Sequence, residues 1–147
     1  VMRERILAMK ELWTKDEAEF HGEHVDFSST WQWPKPTQKP HPPIILGGGA
    51  GPKTMNDIIE YCDGFMPISG RYDFGEQITT LKQMASDAGR DPESFDFGQF
   101  GTPPKAEVVD GLIEAGCGRI VFSLPPADAD TVIPKLDQIA EFKEQYS

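Results

Sequence analysis

Residues 43–52 read Pro43-Ile44-Ile45-Leu46-Gly47-Gly48-Gly49-Ala50-Gly51-Pro52: a short apolar run, three consecutive glycines, and a proline suited to a first helical position. Met55, Ile58 and Ile59 continue beyond it as one helix face. The stretch therefore predicts a buried strand that turns directly into a helix. The same succession recurs three times downstream. Gly64-Phe65-Met66-Pro67-Ile68 is a second strand, followed by the loop Ser69-Gly70-Arg71-Tyr72-Asp73 and a helix carrying Phe74, Ile78, Leu81, Ala85 and Ala88, with Gly89 placed to end it. Phe95–Phe100 is a third strand, leading through Gly101-Thr102-Pro103-Pro104 to a helix on Val108, Val109, Leu112 and Ile113. Arg119–Leu124 is the fourth, followed by a helix bearing Val132, Ile133, Leu136, Ile139 and Ala140.

Apolar strands alternating with helices imply a parallel sheet, buried on both faces and joined by right-handed crossovers. Four such units over residues 44–147 suit either a small doubly wound sheet or half of an eight-unit (β/α) barrel, whose full length is roughly 250 residues. Two observations favour the half-barrel. The strands end in small or turn-forming residues (Gly47, Ser69, Gly101, Pro125), as a barrel mouth requires. An amphipathic helix over residues 1–14, with Met2, Ile6, Met9 and Trp13 on one stripe, precedes the first strand without a strand of its own. Residues 15–43 between them read as a short hairpin about Gly22 and then a connector with prolines at 34, 36, 40, 42 and 43, too rich in fixed φ for helix or inner strand. Residues 1–147 are taken as one domain.

The 147 residues carry 14 Lys+Arg against 24 Asp+Glu, a net charge of −10, with 38% hydrophobic residues. A core is available. A phosphate backbone would meet a mostly acidic surface, so nucleic acid is excluded as a partner. Nothing resembles a membrane span or a signal peptide, and a cytoplasmic location is expected. Cys62 and Cys117 form no disulfide framework and read as small buried residues at helix ends rather than nucleophiles.

Ligands of parallel α/β folds bind at the carboxyl ends of the strands. The candidate positions are therefore Gly47, Gly48, Gly49 and Ala50 after the first strand, and Ser69, Arg71 and Tyr72 after the second. Absent side chains let the backbone approach a ligand, and the helix start offers free N–H groups to an anion. The spacing is neither G-x-G-x-x-G nor a P-loop, and a tight turn needing positive φ is the plainer reading. Arg71 can reach a phosphate or carboxylate, or simply pair with Asp73; Tyr72 can stack on a ring or cover the core. His21-Gly22-Glu23-His24 lacks metalloprotease spacing, both histidines fall in the expected turn, and no metal is assigned. Asp16, Glu17, Glu19 and Glu23 read as a solvated face. Pro40-His41-Pro42-Pro43 reads as a loop entering a strand rather than a ligand for aromatic grooves.

Taken in order, Arg5-Ile6-Leu7-Ala8-Met9-Lys10-Glu11-Leu12-Trp13-Thr14, Phe20–Phe27, Pro34-Lys35-Pro36, Pro42–Gly49, Cys62–Ile68 and Ala88-Gly89-Arg90-Asp91-Pro92 resemble the luciferase-like monooxygenase superfamily. Within it the chain is most similar to oxidoreductases that use the deazaflavin coenzyme F420. The resemblance implies a (β/α)₈ barrel of which this chain matches the C-terminal half, from the helix after strand four. It implies a coenzyme at the mouth against Gly47–Gly49, with Ile68–Tyr72 next to its tail. It also implies hydride transfer between F420 and an organic substrate, a small molecule. FMN with monooxygenase chemistry is the alternative, and a non-catalytic half-barrel module a further one. In the family the residues handling protons come largely from the first four strands, so no catalytic residue is assigned. A half-barrel leaves two open edges and an unfilled interior. A fragment of a longer chain, a homodimer pairing two halves, and a partner chain carrying the missing N-terminal half are expected in that order.

Overall fold

A computed structural model describes residues 1–146; Ser147 lies outside the described residues. The chain begins with α1 (Met2–Thr14), then a hairpin of β1 (Ala18–His21) and β2 (Asp26–Thr30). The regular units follow: β3 (Ile45–Gly47), α2 (Pro52–Tyr61), β4 (Gly64–Met66), α3 (Phe74–Asp87), β5 (Asp96–Thr102), α4 (Ala106–Glu114), β6 (Arg119–Phe122) and α5 (Ala129–Lys143). β3, β4, β5 and β6 form one parallel sheet in that order. Consecutive parallel neighbours joined by helices are the repeating geometry of a barrel rather than of a doubly wound sheet, whose strand order reverses. The fold is half of a (β/α)₈ barrel, preceded by a helix and a proline-rich connector.

The strand alternation sorts the sheet's two faces. Leu46, Phe65, Phe97 and Ile120 point toward the helices, where Met55, Ile58, Tyr61, Ile78, Leu81 and Leu112 complete the core. Ile58, Phe65 and Leu81 are wholly buried, each contributing about 1.5–3 kcal/mol on removal from water. The opposite face is open. Register pairs Gly47 with Met66 and Gly98 with Arg119, and beyond them Ile68 bridges Phe100, which pairs with Val121. Ile68 is 47% and Phe100 48% exposed. The expectation of strands buried on both faces thus holds only for the helix-facing side. The lumen side lacks the strands that would cover it among the described residues.

Each helix stops where its residues dictate. Asp73 caps α3 by accepting from the Glu76 N–H at 2.8 Å, and Asp128 caps α5 through Thr131 at 3.0 Å. Gly89 and Gly116, at φ +74° and +90°, take the left-handed conformation just beyond α3 and α4. Arg90 then reaches back to α2: its Nη1 donates to the carbonyls of Ile58 and Ile59 at 3.1 and 2.8 Å while the guanidinium lies 4.1 Å from the Phe95 ring centroid. α5 carries no buried residue and is held by Phe142, edge-on to Phe122, and by Tyr146, whose hydroxyl donates to Asp110 at 3.0 Å.

The stripe proposed for α1 is corrected. Ala8 is its buried residue, with Ile6 and Leu7 against the core, whereas Met2 and Met9 are 44% and 40% exposed. α1 is bound to the hairpin through Glu4, whose carboxylate accepts the His24 and Val25 N–H groups. A side chain at Gly22 would overlap that carboxylate. Lys35 of the connector donates to the Leu12 and Lys15 carbonyls at the other end of α1. His21 ends β1 rather than sitting in the turn, and β3 begins at Ile45, with the Ile44 N–H donating to Asp63 at 2.8 Å. Among the described residues no helix is long and apolar enough to cross a membrane.

Candidate functional site

The carboxyl ends of β3 and β4 bring most of the expected positions together. Gly48 adopts φ +142°, and a Cβ built there meets nothing within 4 Å, so its missing side chain leaves open space. The positive φ is what this turn needs from glycine; the open space is what a ligand needs from it. Gly47 lies under the Met66 carbonyl, with a built Cβ 3.4 Å from that oxygen. A Cβ on Gly49 would stand 3.1 Å from the Tyr72 hydroxyl, so the two loops touch. Gly51 serves as the N-cap of α2 without any side-chain hydrogen bond, and Pro52 takes the first turn. α3 and α5 are capped by aspartates, whereas α2, like α1 and α4, has no side-chain cap, which leaves the N–H groups of Lys53 and Thr54 without a side-chain acceptor.

Below this turn the open sheet face makes a cavity of about 460 Å³, lined by Ile45, Gly47, Gly48, Met66, Ile68, Phe100 and Arg119. Arg119 lies across the sheet from Gly98 and is paired with Asp96 at 2.7 Å. Beside the turn, Ala50, Met55, Tyr72, Asp73, Glu76, Gln77 and Thr80 enclose about 230 Å³. Gln77 is 6% exposed, and neither its amide nitrogen nor its oxygen has a partner among the described residues. A buried orphan amide in a pocket wall is a group awaiting a ligand or water.

Ser69 is fixed by its N–H, which donates to the Phe100 carbonyl at 2.8 Å. Arg71 is exposed, lines neither of these cavities and makes no ion pair among the described residues. The pairing with Asp73 does not occur, because that carboxylate caps α3 instead. Lys53 is engaged with Asp57 at 2.6 Å. Tyr72 covers the neighbouring loop with 56% of its surface still exposed.

Met66, Arg119 and Gln77 escaped the sequence reading. The first two sit at strand positions whose inward direction follows from register, and register is not visible in an isolated apolar run. Gln77 falls on the buried face of α3, in step with Phe74, Ile78 and Leu81. A glutamine on an apolar helix stripe was the signal that would have found it.

The two cysteines are buried, and burial pushes the Cys62 thiol up to about 11 and the Cys117 thiol upward as well. Neither is poised as a thiolate nucleophile. Glu4, Glu23 and His24 place ligand-type atoms within 4.8 Å of one another, but the Glu4 carboxylate already holds two backbone N–H groups, which keep its pKa below the usual range.

A family profile described as luciferase-like monooxygenase matches residues 1–107. An uncharacterised protein of Mycobacterium tuberculosis is 31% identical over 142 residues, covering 95% of this chain and 49% of the relative. An F420-dependent glucose-6-phosphate dehydrogenase of Gordonia bronchialis is 35% identical over 98 residues, 65% of this chain and 28% of that protein. An FMNH₂-dependent dimethylsulfone monooxygenase of Pseudomonas putida is 45% identical over 47 residues, 32% of this chain and 13% of that protein. Among solved structures, an F420-dependent secondary alcohol dehydrogenase in complex with an F420-acetone adduct superposes with a TM-score of 0.51 at 16% identity, over 93% of this chain and 51% of that one. The chain thus spans about half the length of the Mycobacterium relative.

Proposed function

Since this chain belongs to the luciferase-like monooxygenase family, we propose that it supplies the coenzyme-holding side of an oxidoreductase site in which hydride passes between the deazaflavin F420 and a small organic substrate. The carrying observation is the turn at Gly47–Gly51. It joins an unobstructed glycine, an uncapped helix start and an apolar cavity floor at the mouth of a half-barrel. These residues fit a coenzyme that combines a phosphate with a planar ring. The N–H groups of Lys53 and Thr54 would hold the phosphate, helped by the positive end of α2. Arg71, without a competing carboxylate, would add a charged contact from the next loop. Ile68 and Phe100 would exclude water from one side of the ring, and Tyr72 would close over Gly49. Gln77 would hydrogen-bond the polar tail beside Ala50.

The coenzyme, when bound, supplies the hydride chemistry at its C5; the protein supplies position and electrostatics. The longer of the two coenzyme-named matches favours F420: 98 residues against 47 for the FMNH₂-dependent relative. FMN is the second reading, favoured by the higher identity of that shorter match. Titration followed by the coenzyme's own fluorescence anisotropy separates them. Saturable binding of F420, weakened by inorganic phosphate, is expected. Saturable binding of FMN alone shifts the reading to the monooxygenase branch, and binding of neither removes the coenzyme site.

A further inference from the structure

Among the described residues four buried side-chain atoms lack a hydrogen-bond partner, and Gln77 supplies two of them. Gln32 is half satisfied, its amide nitrogen donating to the Pro34 carbonyl, and the Tyr61 hydroxyl lies in the core. Gln77 is different: it is 6% exposed on α3, both ends of its amide are unpaired, and it lines the 230 Å³ cavity beside the glycine turn. A dry, unpaired amide costs the free chain stability, so a bound group that pairs with it is favoured.

The other polar groups of the cavity define that group. Thr80 already donates its hydroxyl proton to the Glu76 carbonyl at 2.9 Å, so its oxygen can only accept. Asp73 uses one carboxylate oxygen on the Glu76 N–H, and the Glu76 carboxylate is a further acceptor. The donors are the Gln77 amide nitrogen and the Tyr72 hydroxyl. Acceptors outnumber donors and two are carboxylates, in a chain of net charge −10. Such a wall repels a phosphate or carboxylate and suits a neutral group with an N–H beside a carbonyl. At about 230 Å³ the cavity is smaller than the roughly 300 Å³ at which pockets for whole ligands begin, so it takes one segment of a longer molecule. Ala50 lines it and directly follows Gly47–Gly49, so a ligand whose phosphate lies at the start of α2 meets this cavity next.

We propose that the cavity receives the lactyl–glutamyl amide that F420 carries beyond its phosphate, and that Gln77 thereby selects F420 over FMN, which ends at its phosphate. The inference rests on the coenzyme reading above and adds which part of the coenzyme is recognised. Gln77 donates to the carbonyl of that amide, and the amide N–H meets the acceptors of the wall. The glutamate carboxylates that follow are turned outward by Asp73 and Glu76.

The test titrates three ligands onto the chain, each followed by its own fluorescence anisotropy: F420 bearing glutamate, its truncated form ending at the lactyl carboxylate, and FMN. Glutamylated F420 should bind tighter than the truncated form by about tenfold or more, because the truncated form lacks the amide and sets a carboxylate against the acidic wall. Gln77→Met, similar in shape without the amide, should weaken glutamylated F420 by about fivefold or more and leave the truncated form within about twofold. The urea midpoint of the free Gln77→Met chain should rise, since no unpaired amide remains buried; a purely structural glutamine, satisfied in the free chain, would make it fall. Equal affinity for the two F420 forms, an equal loss for both in Gln77→Met, or a lower midpoint overturns the inference and leaves the coenzyme reading standing. Binding of FMN alone, or of no ligand, overturns both.

Discussion

Arg90 offers the sharpest test of how the helix layer is held. Its Nη1 donates to two carbonyls at the end of α2, Ile59 and Ile58, the second of which also accepts the Cys62 N–H, and its plane lies on Phe95, which is 7% exposed. Truncation to alanine removes both bonds and leaves the part-buried Ile59 carbonyl unsatisfied. One donor atom shared between two acceptors contributes about 2–3 kcal/mol as a charged hydrogen bond. Stacking on the ring adds about 0.5–1 kcal/mol at this half-buried position. Arg90→Ala should therefore cost about 3 kcal/mol. With a urea m-value of about 2 kcal/mol/M for a chain of this size, the midpoint should fall by about 1.5 M at unchanged m. Arg90→Lys keeps the charge and one donor direction but not the planar stack, and should recover about half of the loss. Circular dichroism through a urea series measures both. A fall of less than about 0.5 M for the alanine variant, or full recovery by lysine, refutes the reasoning.

At the mouth, Gly48→Val should reduce affinity for F420 or inorganic phosphate at least tenfold, read by anisotropy or dialysis, because a branched side chain would fill the open space at a positive φ; the turn itself should lose about 1–3 kcal/mol. Gly64→Ala should be among the most damaging single methyl additions, since a Cβ there overlaps the Asp96 carbonyl oxygen in the neighbouring strand and stands 2.7 Å from Ile45 Cδ1; loss of the cooperative thermal transition is the readout. Burial raises Tyr61 to about 12 and Cys62 to about 11, so both are neutral in the fold over a range where the unfolded chain ionises. Their contribution is present below the unfolded values and is lost as pH rises from about 9 toward 12, so urea midpoints should fall across that window, and less so in Tyr61→Phe. A thiol reagent at pH 8 should leave both cysteines unlabelled in the native protein and label two in urea.

Much of this fold was legible because its signals are local. Gly47–Pro52 announces a strand end and a helix start within six residues, and Gly89 and Gly116 mark helix ends where left-handed backbone is required. What stayed hidden depends on partners distant in sequence. Met2 and Met9 look like a packing face until Ala8 is seen to be the buried residue of α1. Asp73 and Arg71 look like an ion pair until the α3 N-terminus claims the carboxylate. Arg119 reads as an edge residue of the fourth strand, and only the parallel register with Gly98 turns it toward the lumen. The glycine run was read as a tight turn needing positive φ, and Gly48 takes it; that its surroundings are empty is a property of the neighbouring loops.

The consecutive order β3-β4-β5-β6 also bears on how the chain acquires its structure. Every strand of the sheet pairs only with the one before or after it in sequence, so each closure spans a single helix and its loops. Such short loops carry a small entropic cost, and the sheet can grow one unit at a time as the polypeptide emerges from the ribosome. The long-range exception is α1, whose Arg3–Glu60 contact bridges 57 positions and must wait until α2 exists. α5, with nothing buried, holds least, so the weakest joint among the described residues lies at the β6 edge.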